Sequence, residues 1–155
     1  MSVLLFLATL LGGTAMARST GIGAGLTLGE PVGASGSYRM DDRLAFQGQL
    51  GWSFGQRQLH LSADAVYDVV EIPSDDAMGF SYPVYLGSGL RLRSGHPKGA
   101  ANRPGATLGL RFPVGVAVIP EASAVEVFFE IVPVLVVLPY IDGGVDAALG
   151  GRIVF

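Results

Sequence analysis

The chain contains no cysteine and little charge of either sign. Its 155 residues include 10 Lys and Arg, 13 Asp and Glu and 2 His, so 15 % are charged and the formal net charge is −3. A soluble domain carries about 25 % charged residues. The absence of cysteine excludes disulfides, thiolate metal sites and cysteine nucleophiles. The absence of a basic excess argues against a nucleic-acid partner.

The sequence also lacks other signals of common function classes. The most apolar internal stretch, residues 125–138, contains Glu126, Glu130 and Pro133, which a lone helix in lipid does not tolerate cheaply. No phosphate-binding G-x-x-x-x-G-K-[ST] motif occurs. Two histidines without cysteine do not make a convincing metal site, and His96 lies in a polar loop. We therefore expect no metal and no other cofactor.

What the chain does have is apolar residues and glycine, in an amount that excludes disorder. Half of its residues are hydrophobic, 23 are glycine and the mean hydropathy is +0.48. Val3–Leu11 is almost wholly apolar and Ala15-Met16-Ala17 follows as a small-residue cleavage site, which is the pattern of a secretory signal peptide. An apolar first strand is the alternative. We predict a signal peptide over residues 1–17 and one domain over residues 18–155.

Beyond this segment the chain alternates with a period of two, the period of β-strands. In Leu108–Val118, for example, every even position is apolar and the odd positions hold Gly, Arg, Pro or Ala. Turn segments rich in Gly, Pro and Asp separate such runs. They are Gly29–Pro31, Met40–Asp42, Gly55–Arg57, Pro73–Asp76, Ser94–Pro97, Pro120–Ala122 and Asp142–Gly144. Seven turns predict eight antiparallel strands in one sheet.

The division of charge between the two faces indicates a membrane protein. The apolar faces run over five or six positions, which matches the ~25 Å lipid band crossed by tilted outer-membrane strands. Charges and glycines lie on the opposite face, whereas a soluble barrel has an apolar interior. Closing the sheet removes edges that lipid cannot satisfy. We predict an all-β, eight-stranded antiparallel up-and-down transmembrane β-barrel in the bacterial outer membrane; a soluble periplasmic ligand-binding barrel is an alternative.

Aromatic residues fall near the predicted strand ends, where membrane-interface girdles lie. With both termini in the periplasm, Trp52, Phe54 and Tyr140 would mark the outer rim. The inner rim would consist of Tyr38, Tyr67, Phe80, Tyr82 and Phe155. The terminal Phe155 resembles the C-terminal signal by which the barrel-assembly machinery recognises its substrates. The expected partners are this machinery and outer-membrane lipid, either lipopolysaccharide or phospholipid, and the barrel is expected to be a monomer.

The inward-facing parity collects charges of both signs, with His60, Gln47 and Gln49 near them. The interior of an eight-stranded barrel is just wide enough for side chains to fill. Opposite charges would pair there, because an unpaired buried charge is very costly. We predict a structural plug and a non-enzymatic protein. The predicted charge network of the lumen consists of Asp64, Arg91, Arg111, Glu126, Glu130, Asp146 and Arg152.

The sequence leaves three alternative functions open. The lumen charges could line a gated, narrow pore. Glu126 and Glu130 could form an acid–base pair. His60 and Ser62, with an acid such as Glu71, loosely resemble the H-x-S arrangement of lipid A deacylases, in which a serine nucleophile needs a base and an orienting carboxylate.

Four motifs in the last two thirds of the chain occur together. They are YPVYLGSG at Tyr82–Gly89 with Arg91, LRFPVG at Leu110–Gly115, VEVFFEIVP at Val125–Pro133 and DAALGGRIVF at Asp146–Phe155. Together they resemble a family of small, uncharacterised outer-membrane β-barrel proteins of the OmpA/OmpX-like type that has spirochaete members. The resemblance covers roughly residues 59–155 and implies an eight-stranded barrel. It carries over no catalytic residues.

Overall fold

A computed structural model describes residues 21–54, 57–73, 79–95 and 105–155, which form nine antiparallel β-strands in one sheet. The strands are β1 (Gly21–Gly29), β2 (Val32–Arg39), β3 (Leu44–Ser53), β4 (Gln58–Pro73), β5 (Phe80–Ser94), β6 (Ala106–Arg111), β7 (Val114–Pro120), β8 (Val125–Leu138) and β9 (Asp142–Val154). The predicted signal peptide and His96 lie outside these residues. No helix in the described ranges is long and apolar enough to cross a bilayer.

The sheet closes into a ring because its first and last strands pair. β1 pairs with β9, with Gly25 opposite Arg152, and with β2 on its other side. The pairs β2–β3, β3–β4 and β4–β5 follow in chain order. β6 and β7 pair with β5 and with β8, and β8 pairs with β9. The backbone hydrogen bonds therefore continue around the whole ring.

β6 and β7 share one position in this ring, which corrects the predicted strand count from eight to nine. Opposite β8, Arg111 faces Val134 and Val114 faces Ile131, so no residue is inserted between β6 and β7. The strand predicted over Leu108–Val118 is interrupted at Pro113, because proline has no N–H to donate to the ladder. The ring thus has nine strands in eight positions.

Burial alternates along the strands in the sense that the sequence predicts. The outward side chains of Leu50, Leu61 and Leu90 are 51 %, 49 % and 52 % exposed, whereas the inward Arg111 and Glu130 are fully buried. The buried apolar cluster is small and consists of Ala45, Val66, Tyr85, Ala117 and Phe128. The apolar face of the sheet is therefore outside and the charged face inside, the reverse of a soluble sheet packed on a core.

The ring has two distinct ends. The terminus end holds Gly21, Val154 and the last residues of β2, β4 and β7, and the far end holds the last residues of β1, β3, β5 and β8. The aromatic residues sort between the ends as the sequence predicts. Trp52, Phe54 and Tyr140 lie at the far end, and Tyr38, Tyr67, Phe80, Tyr82 and Phe155 lie toward the terminus end.

Candidate functional site

Inward-facing glycines make room for large interior side chains. Gly150 lies opposite Phe128 in the β8–β9 register, and a Cβ at Gly150 would collide with the Phe128 ring. A Cβ at Gly115 would likewise collide with the ring of Tyr85, its partner on β5. Each large side chain lies across the glycine of its neighbouring strand, so the interior is filled from the wall inward.

Arg111 lies at the centre of the interior and pairs with two carboxylates. Its Nε is 3.1 Å from Asp64 Oδ1, and its Nη2 donates to Glu130 Oε1 at 3.4 Å. Its Nη1 is 3.1 Å from Nε2 of His60. All three partners come from other strands. Because the side chains of Arg111, Asp64 and Glu130 are fully buried, water does not screen these ion pairs.

Glu130 also receives hydrogen bonds from three neutral side chains. The amides of Gln47 and Gln49 on β3 donate to its two oxygens at 3.0 Å and 2.6 Å. The hydroxyl of Tyr85 on β5 donates at 3.2 Å. Gln47 and Gln49 lie on the β3 side of the ring and Glu130 on β8, so these bonds cross the lumen.

A second group of charges lies toward the far end. Arg91 and Arg93 each donate to one oxygen of Asp146, both at 2.8 Å. Arg93 also reaches Glu30 at 3.4 Å, and the Ser53 hydroxyl donates to the same Glu30 carboxylate. Arg93 Nε donates to His60 Nδ1 at 3.4 Å, so His60 connects this group to the Arg111 cluster.

A third group surrounds Arg152 toward the terminus end. Arg152 donates to Glu126 at 2.9 Å, to the Ser35 hydroxyl at 2.8 Å and to Gln47 Oε1 at 3.1 Å. Its guanidinium carbon lies 4.0 Å from the centroid of the Phe128 ring, a cation–π contact. Each of the three guanidinium nitrogens of Arg152 therefore donates a hydrogen bond.

The buried charges of the interior are paired. Four buried arginines, Arg91, Arg93, Arg111 and Arg152, lie among four carboxylates, Asp64, Glu126, Glu130 and Asp146, and a fifth buried carboxylate, Asp68, pairs with the part-buried Arg39. Such a network is tolerated in a low-dielectric interior because no charge is left without a partner. A cavity of about 30 Å³ remains beside it near the terminus end, next to Arg39, Asp68 and Tyr85, with room for roughly one or two waters.

All seven predicted network residues lie inside the ring, and each is within 3.4 Å of an opposite charge. The structure adds charged residues that the sequence reasoning did not include. Arg93 has the same parity as Arg91, two residues away, and that parity was a usable signal. Asp68, which pairs with Arg39 at 3.0 Å at the end of the lumen, likewise has the parity of Asp64, whereas Glu30 lies in a predicted turn and had no such signal.

The structure does not bring the alternative catalytic residues together. The ring nitrogens of His60 contact Arg93 and Arg111. Glu71 lies at the other end of β4 from His60, and its carboxylate accepts a hydrogen bond from Ser81 on β5. The Ser62 hydroxyl has no hydrogen-bond partner among the described residues. Glu126 and Glu130 are held by separate arginines. Within the described ranges no three His, Asp or Glu side chains are grouped to hold a metal ion.

Comparisons with known proteins identify no relative: no family model, no curated protein and no solved structure matches the chain.

Proposed function

We propose that this chain is an integral outer-membrane β-barrel whose interior is closed by a plug of paired charges, with a role in envelope structure or in interactions at the cell surface. The observation that carries the proposal is the inversion of the two faces of a closed sheet. Charge is inside, where it is paired, and apolar side chains are outside, all around the ring.

The outer surface supports a lipid environment. Large apolar or aromatic residues that are more than a third exposed occur on all nine strands, with Tyr38 on β2. Soluble monomers seldom expose a contiguous apolar patch above a few hundred Å². Hydrocarbon would cover this surface at no cost, whereas water contact would cost about 25 cal/mol per Å².

The closed backbone supports the same proposal. In lipid every backbone N–H and C=O needs a partner within the protein, so an open sheet edge is excluded from the hydrocarbon layer. Pairing of β1 with β9 removes the two edges that an open sheet would have. The predicted signal peptide fits export from the cytoplasm.

The plug favours a structural role over transport. The lumen is filled from end to end by three groups of charges. The Arg91–Arg93 group lies toward the far end, the Arg111 cluster at the centre and the Arg152 group toward the terminus end. An ion crossing the lumen would have to separate buried ion pairs. Removing one partner of a buried ion pair costs several kcal/mol. We infer that the resting protein does not conduct.

Electrophoretic mobility tests the proposal directly. Outer membranes are isolated, and boiled and unboiled samples are run side by side in SDS. A closed membrane barrel stays folded in SDS until it is heated, so the boiled and unboiled samples are expected to run at two different positions on the gel. The purified protein, added to planar lipid bilayers, should produce no ion conductance. One position, with the protein in the periplasmic wash, would overturn the membrane assignment. Steady conductance steps would instead favour the narrow pore.

A further inference from the structure

One strand of the ring has an unpaired backbone edge. β3 begins at Leu44, opposite Tyr67, and the N–H of Asp68 donates to the carbonyl of Arg43 at 2.8 Å. β4 continues beyond this point to Pro73, and in the described structure Val69–Pro73 pairs with β5 alone. The backbone groups of this segment on the side of β3 are therefore available to another strand.

The segment projects beyond the ring, and its side chains are exposed on both faces. Val69, Val70 and Ile72 are 41 %, 55 % and 50 % exposed, and Glu71 between them is exposed too. A β-bulge between Asp68 and Val70 breaks the alternation of the ring at this point. This edge thus offers both main-chain groups and apolar side chains.

A groove runs along the edge. It is open, has a volume of about 400 Å³ and is lined by Asp42, Arg43, Asp68, Val69, Val70 and Glu71. The β2–β3 turn forms one wall and the β4 edge forms the other. The groove therefore has a place for a strand that would continue the sheet where β3 stops.

The charge around the groove is negative. Among the described exposed side chains at the terminus end, Asp41, Asp42, Glu71 and Glu121 outnumber Arg43 by four to one, and Arg57 balances Asp142 at the far end. Two backbone N–H groups, those of Arg43 and Leu44, lower the pKa of Asp41 below its ordinary value of 3.8. Its carboxylate is charged at any physiological pH.

We propose that this edge of β4, residues Val69–Pro73, docks a basic, extended polypeptide segment that adds a strand beside Val70–Ile72. Main-chain hydrogen bonds would supply affinity, as in other cases of strand addition, and lysine or arginine on the incoming strand would meet the acidic groups. A second copy of this chain is disfavoured, because it would bring the same carboxylates against one another. The β-bulge and Pro73 also limit how far this edge of β4 can pair with a long, flat edge strand of another molecule.

This interaction goes beyond the proposed function and does not depend on insertion into lipid. The probe is a fluorescein-labelled peptide of alternating Lys and Val. Its control is the same peptide with N-methyl groups on alternate amides, which keeps the charge but blocks strand pairing. Protein in phosphatidylcholine nanodiscs is titrated at low salt, with empty nanodiscs subtracted; a chain that proves soluble is titrated in buffer.

The expected result is binding of the unmodified peptide, loss of binding with the N-methylated peptide, and shifts of the Val70 and Ile72 amide resonances. Glu71→Lys should weaken binding about tenfold, because repulsion replaces an attraction. The matched charge change at the far end, Asp142→Lys, should leave it unchanged. Equal binding of both peptides, equal effects of the two variants, or no binding would each overturn the proposal. Heat-dependent mobility in SDS confirms that both variants are folded.

Discussion

At the scale of single residues, Arg111 illustrates how the interior is held together. Its carboxylate partners, Asp64 and Glu130, come from β4 and β8 and lie far from it in sequence. The three side chains are fully buried, so each charge depends on the others for its stability. Removing one member therefore does more harm than the pair's net contribution would indicate.

The first prediction concerns this cluster. Arg111→Met should lower the free energy of unfolding by about 3 kcal/mol or more, because two buried carboxylates lose their cation. The double variant Arg111→Met with Asp64→Asn should recover part of that loss, since one uncompensated charge is removed. Urea unfolding in detergent or lipid measures both. A double variant less stable than Arg111→Met alone would contradict the assignment of Asp64 as its partner.

The second prediction concerns two glycines that differ in what surrounds them. A Cβ at Gly150 would strike the Phe128 ring, whereas the nearest atom to a Cβ at Gly36 is the Gly23 carbonyl at 3.8 Å. Gly150→Ala should cost about 1–3 kcal/mol through overpacking. Gly36→Ala should be neutral or stabilise by up to about 1 kcal/mol through the unfolded chain. Unfolding midpoints compare them, and equal effects would mean that the interior is not filled as described.

At the scale of elements, the β2–β3 turn is fixed by one side chain. Asp41 Oδ1 accepts hydrogen bonds from the N–H groups of Arg43 and Leu44 at 2.8 Å and 2.7 Å. Aspartate commonly stabilises turns in this way, by bonding the backbone two residues on. The sequence signal Met40–Asp42 predicted the turn, and its location next to the β4 edge makes it a wall of the groove.

The third prediction uses the charge of this turn. The pKa of Asp41 is lowered by its hydrogen bonds, first that to Arg43 and then that to Leu44, so the folded state favours the carboxylate. The stabilisation that the Asp41 carboxylate provides is fully present above its ordinary pKa of 3.8 and is lost as the pH falls through its lower pKa in the folded state. Asp41→Asn should therefore be less stable than the unmodified chain at neutral pH, and the difference should disappear on acidification.

Unfolding midpoints of both proteins across this pH range make the measurement. Asp42→Asn, a change of the exposed neighbouring carboxylate, is the matched control. A difference that does not shrink as the pH is lowered from 3.8 would contradict the hydrogen-bonded role of the Asp41 carboxylate.

Two elements differ from their predicted form for identifiable reasons. Pro113 divides one alternating run into β6 and β7, because a strand-period pattern does not report a missing backbone donor. β9 begins at Asp142, so the predicted turn Asp142–Gly144 is part of a strand and the connection after β8 is residues 139–141. That extension is stabilised by pairing with β8, which local propensity cannot report.

At the scale of the whole molecule, the ring has a direction. The predicted rim aromatics are sorted between the two ends, and the acidic exposed side chains concentrate at the terminus end. If the ring spans the outer membrane with both termini inside, the groove beside β4 faces the periplasm and the turns of the far end face outward. This orientation can be measured independently of function.

The fourth prediction uses the absence of cysteine, which makes single-cysteine labelling free of background. A membrane-impermeant maleimide added to intact cells should label Ile141→Cys, at an 82 % exposed position of the far end. Ala122→Cys, at the terminus end, should react only after permeabilisation. Leu90→Cys, on the outward apolar face, should react only after denaturation. Labelling of Ala122→Cys alone would reverse the orientation, and labelling of Leu90→Cys in native membranes would contradict a lipid-facing surface.

The inward and outward faces of the strands follow from the sequence pattern alone, because the two-residue period of a strand assigns each residue to a face before any partner is known. The sequence pattern also indicated the turns after β1, β2 and β7, whereas the predicted turn Asp142–Gly144 lies within β9. The tertiary structure alone decided which charges meet: Arg111 with Asp64 and Glu130, or Arg93 with Asp146 and Glu30. Those pairs depend on the register of non-consecutive strands and on closure of the ring, and register is a property of paired strands. The unpaired edge of β4 is likewise a feature of the tertiary structure, because it exists only where β3 ends beside β4.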